Sequence, residues 1–402
     1  MGKYLVHIAI ILLAVSAGCE PLDIGIEARR HGEPSGERAS GREKPQVTKA
    51  DTFVYVSGVE FPESYDWATD SAFGNVSSKL VLFRDGVRVY EIPAGPGTVF
   101  SADPDMHRIA GGHLWTDGLS GNRTVICSDG RERFRFKGRE SICSFVLDGE
   151  DVLTLGSARD GPGVFYRRNG DLVFSDEKGR CISPLYRDGG RWYFAYRRTV
   201  GEAASIARDE YFMVEDGISL PVEVPSDAEK VFDMRMIGGT LYMVISVKGS
   251  SVGPYLVQGG GRTAMGSAGR IPLDCSIIPR SGDIWVRGHV KDGKGTVYAT
   301  LWSKSKVIAN RLGVGSCIVP LGEDYLVVSN DGKSGLSISG SRIGNLTAPP
   351  PSKFFTDGGS FCSGGRVLLA WTQCGKGSFV WDGGEVGNLE INGFLTGVSL
   401  WP

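Results

Sequence analysis

Any chemistry in this sequence has to come from a few irregular stretches. The longest is EFPESYDWATDSAFGNVSSK, residues 60–79, where Glu60, Glu63, Asp66 and Asp70 stand beside Tyr65 and Trp67. Aromatic rings stack on the C–H faces of sugars while carboxylates accept from sugar hydroxyls, so this mixture suits a glycan. The plainer reading is a loop folded over its own sheet, with Trp67 as its anchor. A second stretch is Asp103-Pro104-Asp105-Met106-His107. Its i, i+2 spacing puts Asp103, Asp105 and His107 on one strand face, three potential ligands for a divalent cation. Asp-Pro is equally an ordinary turn opener, and His107 a residue that simply packs. A third is RWYFAYRR at 191–198. It offers Arg197 and Arg198 to an anionic ligand, or forms a strand with buried aromatic rings and arginines snorkelling at its end.

The standard catalytic templates do not fit. Gly249-Ser250-Ser251-Val252-Gly253 matches G-x-S-x-G, but no strand-to-helix elbow surrounds it. Beyond residue 50 the only histidines are His107, His113 and His289, so few bases exist for a serine nucleophile. No H-E-x-x-H, phosphate loop or dinucleotide fingerprint is present, and no cofactor is implied. A formal net charge of −2 lacks the basic surplus of a nucleic-acid binder. Carboxylate pairs for glycoside cleavage are set by spacing in space rather than in sequence, so they stay open.

Eight cysteines occur, at 19, 127, 143, 181, 275, 317, 362 and 374, without a C-x-x-C pair. Cys143, Cys181, Cys275, Cys317 and Cys362 take roughly one position in a repeat described below. Cys is small and readily buried, so the spacing predicts packing where repeats converge. A ring of thiols around a metal is the sharper alternative.

The N-terminus reads as an address. Lys3 precedes the apolar run Leu5–Val15, too short for the ~20 residues of a membrane-spanning helix. Ser16-Ala17-Gly18-Cys19 follows and is similar to a bacterial lipobox, although Ser16 stands where a bulky aliphatic residue is usual. The resemblance implies a signal peptide over 1–18, lipid on Cys19 and anchorage in the bacterial cell envelope. Glu20 rather than Asp after the cysteine points to the outer membrane. Residues 20–50 carry six acidic and six basic residues and no aromatic one. Such a segment buries too little apolar surface to offset its ordering entropy, and residues 19–50 read as a flexible charged tether.

The elements that must position these residues come from a repeat. LVLFRDGVRVYEI at 80–92 is two alternating apolar runs around Asp85-Gly86, a β-hairpin signature. Copies start at 124, 163, 210, 254, 296, 335 and 378, at intervals of 39–47 residues. Another strand pair precedes each, as in SICSFVLDGEDVLTLG at 141–156 with its turn at Asp148-Gly149. Glycine, 58 of 402 residues, is about twice its usual ~7% share, as many tight turns require. Four-stranded units of this length are β-propeller blades, since a lone sheet leaves both apolar faces wet and stacking buries them. The expected fold is all-β, an eight-bladed β-propeller over 51–402, with seven blades as the alternative. The first repeat lacks its first strand, and FLTGVSLW at 394–401 is a strand without partners. We therefore expect the C-terminal strand to complete the first blade and close the ring, hiding sheet edges.

VYVSG at 54–58 followed by LVLFRDGVRVYEI resembles uncharacterised bacterial β-propeller lipoproteins. The resemblance implies a fold and an envelope address and brings no catalytic residues. WD40, kelch and sialidase signatures do not fit. In a propeller, the loops joining second to third and fourth to first strands share one face, the default ligand site. Residues near the ends of second strands should point there: Asp117, Tyr196, Arg197, Arg287, His289, Asn330 and Trp371, with Tyr65 and Trp67 in the long first loop. The sequence thus suggests a membrane-anchored module that binds a glycan, peptide or partner protein through its loop face. The alternative is a polysaccharide hydrolase or lyase with acids among Glu60, Glu63, Asp66, Asp105 and Asp117.

Overall fold

The Asp-Gly turns set the architecture. A two-residue turn with both φ angles positive matches the twist of paired strands. Asp85, Asp129, Asn169 and Asp216 have φ of 47°, 50°, 53° and 45°, each followed by a glycine with positive φ. The turn side chain also reaches sideways. Its Oδ1 accepts the N–H of the residue alongside on the second strand: Val54 to Asp85 and Leu114 to Asp129 at 2.8 Å, Val152 to Asn169 and Trp192 to Asp216 at 2.9 Å. The turn residue's own N–H returns to the carbonyl of that same partner. One short polar residue therefore shapes the hairpin and fixes it to the strand beside it.

The computed structural model describes residues 53–66, 76, 78–93, 98–100, 107–110, 113–138, 140–201, 208–280, 282–312, 317–321, 324–330, 336–340, 344–347, 355–363, 366–373, 377–382 and 385–401. Cys19, Trp67, Asp103 and Asp105, with the leader and the charged tether, lie outside them. The described residues form eight antiparallel sheets, numbered here in chain order. The first holds Phe53–Glu60, Lys79–Arg84 and Val87–Pro93. The second has Thr98–Phe100 and His107–Ala110, both on His113–Ser120, then Arg123–Ser128 and Arg131–Arg135. The third runs Glu140–Asp148, Asp151–Ala158, Val164–Arg168 and Asp171–Asp176. In the fourth, Gly179–Cys181 and Tyr186–Asp188 both pair with Arg191–Val200, followed by Arg208–Glu215 and Ile218–Val222. The fifth is Ala228–Ile237, Thr240–Val247, Tyr255–Gln258 and Gly261–Ala264, and the sixth Arg270–Arg280, Asp283–Asp292, Val297–Ser303 and Lys306–Leu312. Cys317–Leu321, Asp324–Asn330, Leu336–Gly340 and Gly344–Thr347 form the seventh; Phe355–Ser363, Arg366–Gln373, Gly377–Asp382 and Glu385–Leu389 form the eighth.

The end of the chain supplies the missing first strand of the first sheet. Gly393–Trp401 pairs antiparallel with Phe53–Glu60, Phe53 opposite Trp401 and Glu60 opposite Gly393. Leu395 and Phe394 are buried there.

The core lies between sheets. Val56, Phe83 and Leu395 of the first sheet pack on Leu368 and Ala370 of the eighth. Leu80 and Phe394 pack on Leu114 and Val125 of the second. Further apolar clusters join the second to the third, the third to the fourth and so on to the sixth and seventh. This is how four-stranded sheets bury both faces, and the arrangement resembles β-propeller structures. One interface holds charge. Asp233 and Arg235 are each 2% exposed, with Arg235 Nε 3.3 Å from Asp233 Oδ2. The same oxygen accepts Ile277 N–H of the sixth sheet at 2.8 Å, and the guanidinium lies over Tyr186 of the fourth.

Several first strands are irregular against their second strands. An extra residue interrupts the pairing at Thr396 in the first sheet, Cys143 in the third, Glu229 and Phe232 in the fifth and Leu273 in the sixth. A bulge bends its strand and re-aims the side chains beyond it. As the repeat spacing anticipates, Cys143, Cys181, Cys275, Cys317 and Cys362 all stand on first strands of their sheets.

Candidate functional site

On the fifth and sixth sheets, near the connections from second to third strands, polar side chains stand beside partly buried rings and exposed apolar groups. This cluster begins with the bulge at Leu273. Pro272 pairs with Val290, and Asp274 pairs with His289. His289 N–H donates to Asp274 Oδ1 at 2.9 Å, and His289 Nδ1 lies 3.1 and 3.0 Å from Oδ1 and Oδ2. Gly288 permits this approach, since a Cβ there would sit 2.2 Å from the Asp274 carbonyl oxygen. A carboxylate on Nδ1 fixes the ring's orientation and puts the neutral tautomer's proton on that nitrogen. The pair is reachable from solvent: the side chains are 18% and 32% exposed.

Around this pair, cations stack on rings. The Arg270 guanidinium lies 4.0 Å from the Tyr298 ring centre. Tyr298 donates its hydroxyl to Asp292 Oδ2, while Asp292 Oδ1 accepts the N–H groups of Lys294 and Thr296, both at 2.9 Å. Those amides, Thr296 first, hold the Asp292 carboxyl below the usual carboxylate range. On the fifth sheet Lys230 lies over Phe232 and donates to the Leu273 carbonyl, and Arg262 lies over Tyr255 and pairs with Asp227 at 2.7 Å. Arg262 lowers the Asp227 carboxyl. Ile271, Leu273 and Leu312 are exposed on the sixth sheet. Rings carrying cations, flanking carboxylates and apolar spots supply the kinds of contact that hydroxylated or peptide-like molecules make.

The residues singled out from sequence do not gather in one place; those on second strands alone stand in five sheets, the second, fourth, sixth, seventh and eighth. His289 belongs to the cluster above. Arg287, two residues earlier on its strand, is half-buried opposite Ser276. Tyr196 is 3% exposed and stacks on Phe212 at 4.9 Å in the interface of the third and fourth sheets, and this burial raises its phenol pKa. Trp371, also 3% exposed, stacks on Phe379 in the eighth sheet. Both rings are buried side chains, Tyr196 between two sheets and Trp371 against Phe379 of its own sheet. Arg197 is paired with Asp209 at 2.6 Å, and Arg198 with Asp176 and Glu210, as the snorkelling reading anticipates. Asp117 is half-buried on the second strand of its sheet, and Asn330 ends the second strand of the seventh.

Tyr65 packs on Phe61 at 5.3 Å, and Asn392 Nδ2 donates to the carbonyls of Pro62 and Tyr65, so residues 61–65 fold onto the chain's last strand. Glu60 receives both terminal nitrogens of Arg88, at 2.7 and 2.9 Å. His107 is buried, its Nε2 3.4 Å from Thr116 Oγ1 and its Cβ beside Gly397. No group of three or more metal-ligating side chains occurs among the described residues. The G-x-S-x-G stretch is a strand-to-strand connection in which Ser250 bonds to Val252 and Tyr255. Asp274, Arg270 and Lys230 carry no distinguishing sequence pattern; the register shift at Leu273, which no local pattern marks, sets Asp274 against His289.

No protein-family model and no curated protein matches this chain. Solved structures similar to it include the β-propeller domain of the Trilobed protease from Pyrococcus furiosus. That domain is 15% identical, with 85% of this chain and 95% of that one covered and a TM-score of 0.38. Two others are a prolyl endopeptidase structure, 9% identical over 76% of this chain and 50% of that one with a TM-score of 0.43, and Pyrococcus horikoshii acylaminoacyl peptidase, 14% identical over 75% and 54% with a TM-score of 0.41. The chain spans about half the length of these two peptidases.

Proposed function

We propose that this chain is a ligand-binding module, an eight-bladed β-propeller closed by its C-terminal strand and held in a bacterial envelope by lipid on Cys19. Its loop face binds a glycan, a peptide or a partner protein, with the Asp274–His289 pair and the Arg270–Tyr298 stack at the centre. The observation that carries the binding reading is the state of the carboxylates. Glu60 is clamped by Arg88, Asp209 by Arg197, Glu210 by Arg198 and Asp227 by Arg262. A glycosidase needs one carboxyl group that keeps its proton near neutrality. The Glu60–Arg88 pair occupies one of the carboxylates on which the polysaccharide hydrolase would draw.

The test uses full-length protein in detergent, screened by thermal shift and on immobilised bacterial glycans and peptides. Arg270→Ala and His289→Ala should each weaken the ligand found about tenfold, a loss of about 1.4 kcal/mol. A ligand held equally well by both variants places the site elsewhere, and release of new reducing ends from a glycan restores the hydrolase reading. Metabolic labelling with a clickable fatty acid tests the anchor: label on the wild type that disappears in Cys19→Ser supports it, and an unlabelled wild type removes it.

A further inference from the structure

Among the described cysteines, two meet. Cys143 is the extra residue in the first strand of the third sheet, where Ser144 pairs with Leu155 and Ile142 with Gly156. Its Sγ is 2.8 Å from Ser157 Oγ. Cys181 ends the short strand that opens the fourth sheet. Its thiol is within hydrogen-bonding reach of both the Cys143 thiol and the Ser157 hydroxyl. The backbone holds the two sheets together at this point. Gly163 N–H of the third sheet's third strand donates to the Gly179 carbonyl at 2.8 Å, and a Cβ on Gly179 would lie 3.0 Å from Val164 Cγ2. Arg198 adds an ion pair to Asp176 at 3.5 Å. Cys143 and Cys181 are partly exposed as residues, although the Cys181 sulfur itself is buried, whereas Cys127 and Cys275 lie in separate apolar clusters. Burial pushes the Cys127 thiol up to about 12 and the Cys275 thiol well above its usual range, which leaves both unreactive.

We propose that Cys143 and Cys181 are a redox site, a thiol pair that closes into a disulfide and staples the third sheet to the fourth. The oxidant is a small or protein-borne disulfide, taken by thiol–disulfide exchange. The Cys143 thiolate attacks one sulfur of the oxidant and expels the other as a thiolate. The Cys181 thiolate then attacks Cys143 Sγ in the mixed disulfide and expels the second. Two protein thiols are oxidised, one oxidant disulfide is reduced, and the two protons leave on the released thiols. In this scheme Cys143, on the bulge beside Ser157, is the thiol that meets the oxidant first, and Cys181 resolves. The lipoprotein leader proposed above would deliver the chain to an oxidising compartment, but the pairing itself rests on the two strands alone.

Reduced full-length protein would be incubated with oxidised glutathione, capped with a maleimide and digested with trypsin without reduction. The expected product joins the peptides 140–159 and 181–187, separates on adding reductant, and accompanies a rise in melting temperature of about 5 °C over the reduced protein. Maleimide on both peptides, glutathione retained on both, or Cys181 joined to a different cysteine overturns the proposal. An oxidised protein that carries the link yet melts no higher than the reduced one overturns the stapling role.

Discussion

Replacing Asp216 tests the reasoning that ties the repeated turn to the fold. Asp216 has φ of 45°, its Oδ1 accepts Trp192 N–H at 2.9 Å, and its own N–H donates to the Trp192 carbonyl at 2.9 Å. Trp192 is 5% exposed and belongs to the cluster between the third and fourth sheets. Alanine removes the acceptor from a part-buried amide, which costs on the order of 1 kcal/mol, and keeps a Cβ residue in the left-handed region, which costs about 1 kcal/mol more. Asp216→Ala should therefore lose about 2 kcal/mol. Asparagine keeps the oxygen and tolerates the backbone, and Asn169 already fills the equivalent position in the third sheet. Asp216→Asn should stay within about 0.5 kcal/mol of the wild type. Urea titration followed by tryptophan fluorescence measures both. If Asp216→Asn falls as far as Asp216→Ala, charge rather than the amide bond supports the turn; if neither falls, the turn residue does not anchor the strand.

Three further outcomes are expected. Gly130→Ala should cost clearly more than Gly86→Ala, because its Cβ would lie 2.1 Å from Ile92 Cγ2 while that of Gly86 meets nothing within 4 Å; both share the left-handed backbone cost of about 1 kcal/mol, so the difference in urea midpoint reads the contact between sheets. Asp233→Ala should destabilise by about 3–5 kcal/mol by leaving Arg235 buried without its carboxylate, and thermal unfolding that matches the wild type would show that the pair is dispensable. Asp292 has a lowered carboxyl pKa, so its contribution is complete at neutral pH, remains above the unfolded value of ~3.9 and is lost as pH falls through the depressed folded value. Amide exchange at Lys294 and Thr296, corrected for intrinsic rates, should accelerate only at that acidic end, and exchange already fast at pH 6 contradicts the assignment.

Much of the strand order is legible because it is written in local chemistry. Asp-Gly and its variants have few alternatives to a tight turn, so hairpins at 80–92, 124–136 and 163–175 can be read directly. The partnership of residues 53–60 with 393–401 follows from counting, since one repeat lacks a strand and one strand lacks a repeat. The site is less legible. Reading Tyr196 and Trp371 as loop-face residues treats the end of a second strand as exposed, yet Tyr196 is buried between the third and fourth sheets and Trp371 against Phe379.

By itself, then, the sequence determines the repeat, the turns, the strand identities and the incomplete first unit, because each depends on residues within a few positions or on a simple tally of strands. Tertiary structure decides which side chains meet. Residues 271, 273, 275 and 277 alternate as if they shared one face, but Ile271 and Leu273 are exposed while Cys275 and Ile277 are buried. The extra residue at Leu273 shifts the pairing by one, and a one-residue shift moves side chains to the opposite face. That shift sets Asp274 against His289, and the bulge at Cys143 accompanies its meeting with Cys181 on the next sheet. Both pairings depend on register and on contacts between sheets, neither of which a local pattern of residues specifies.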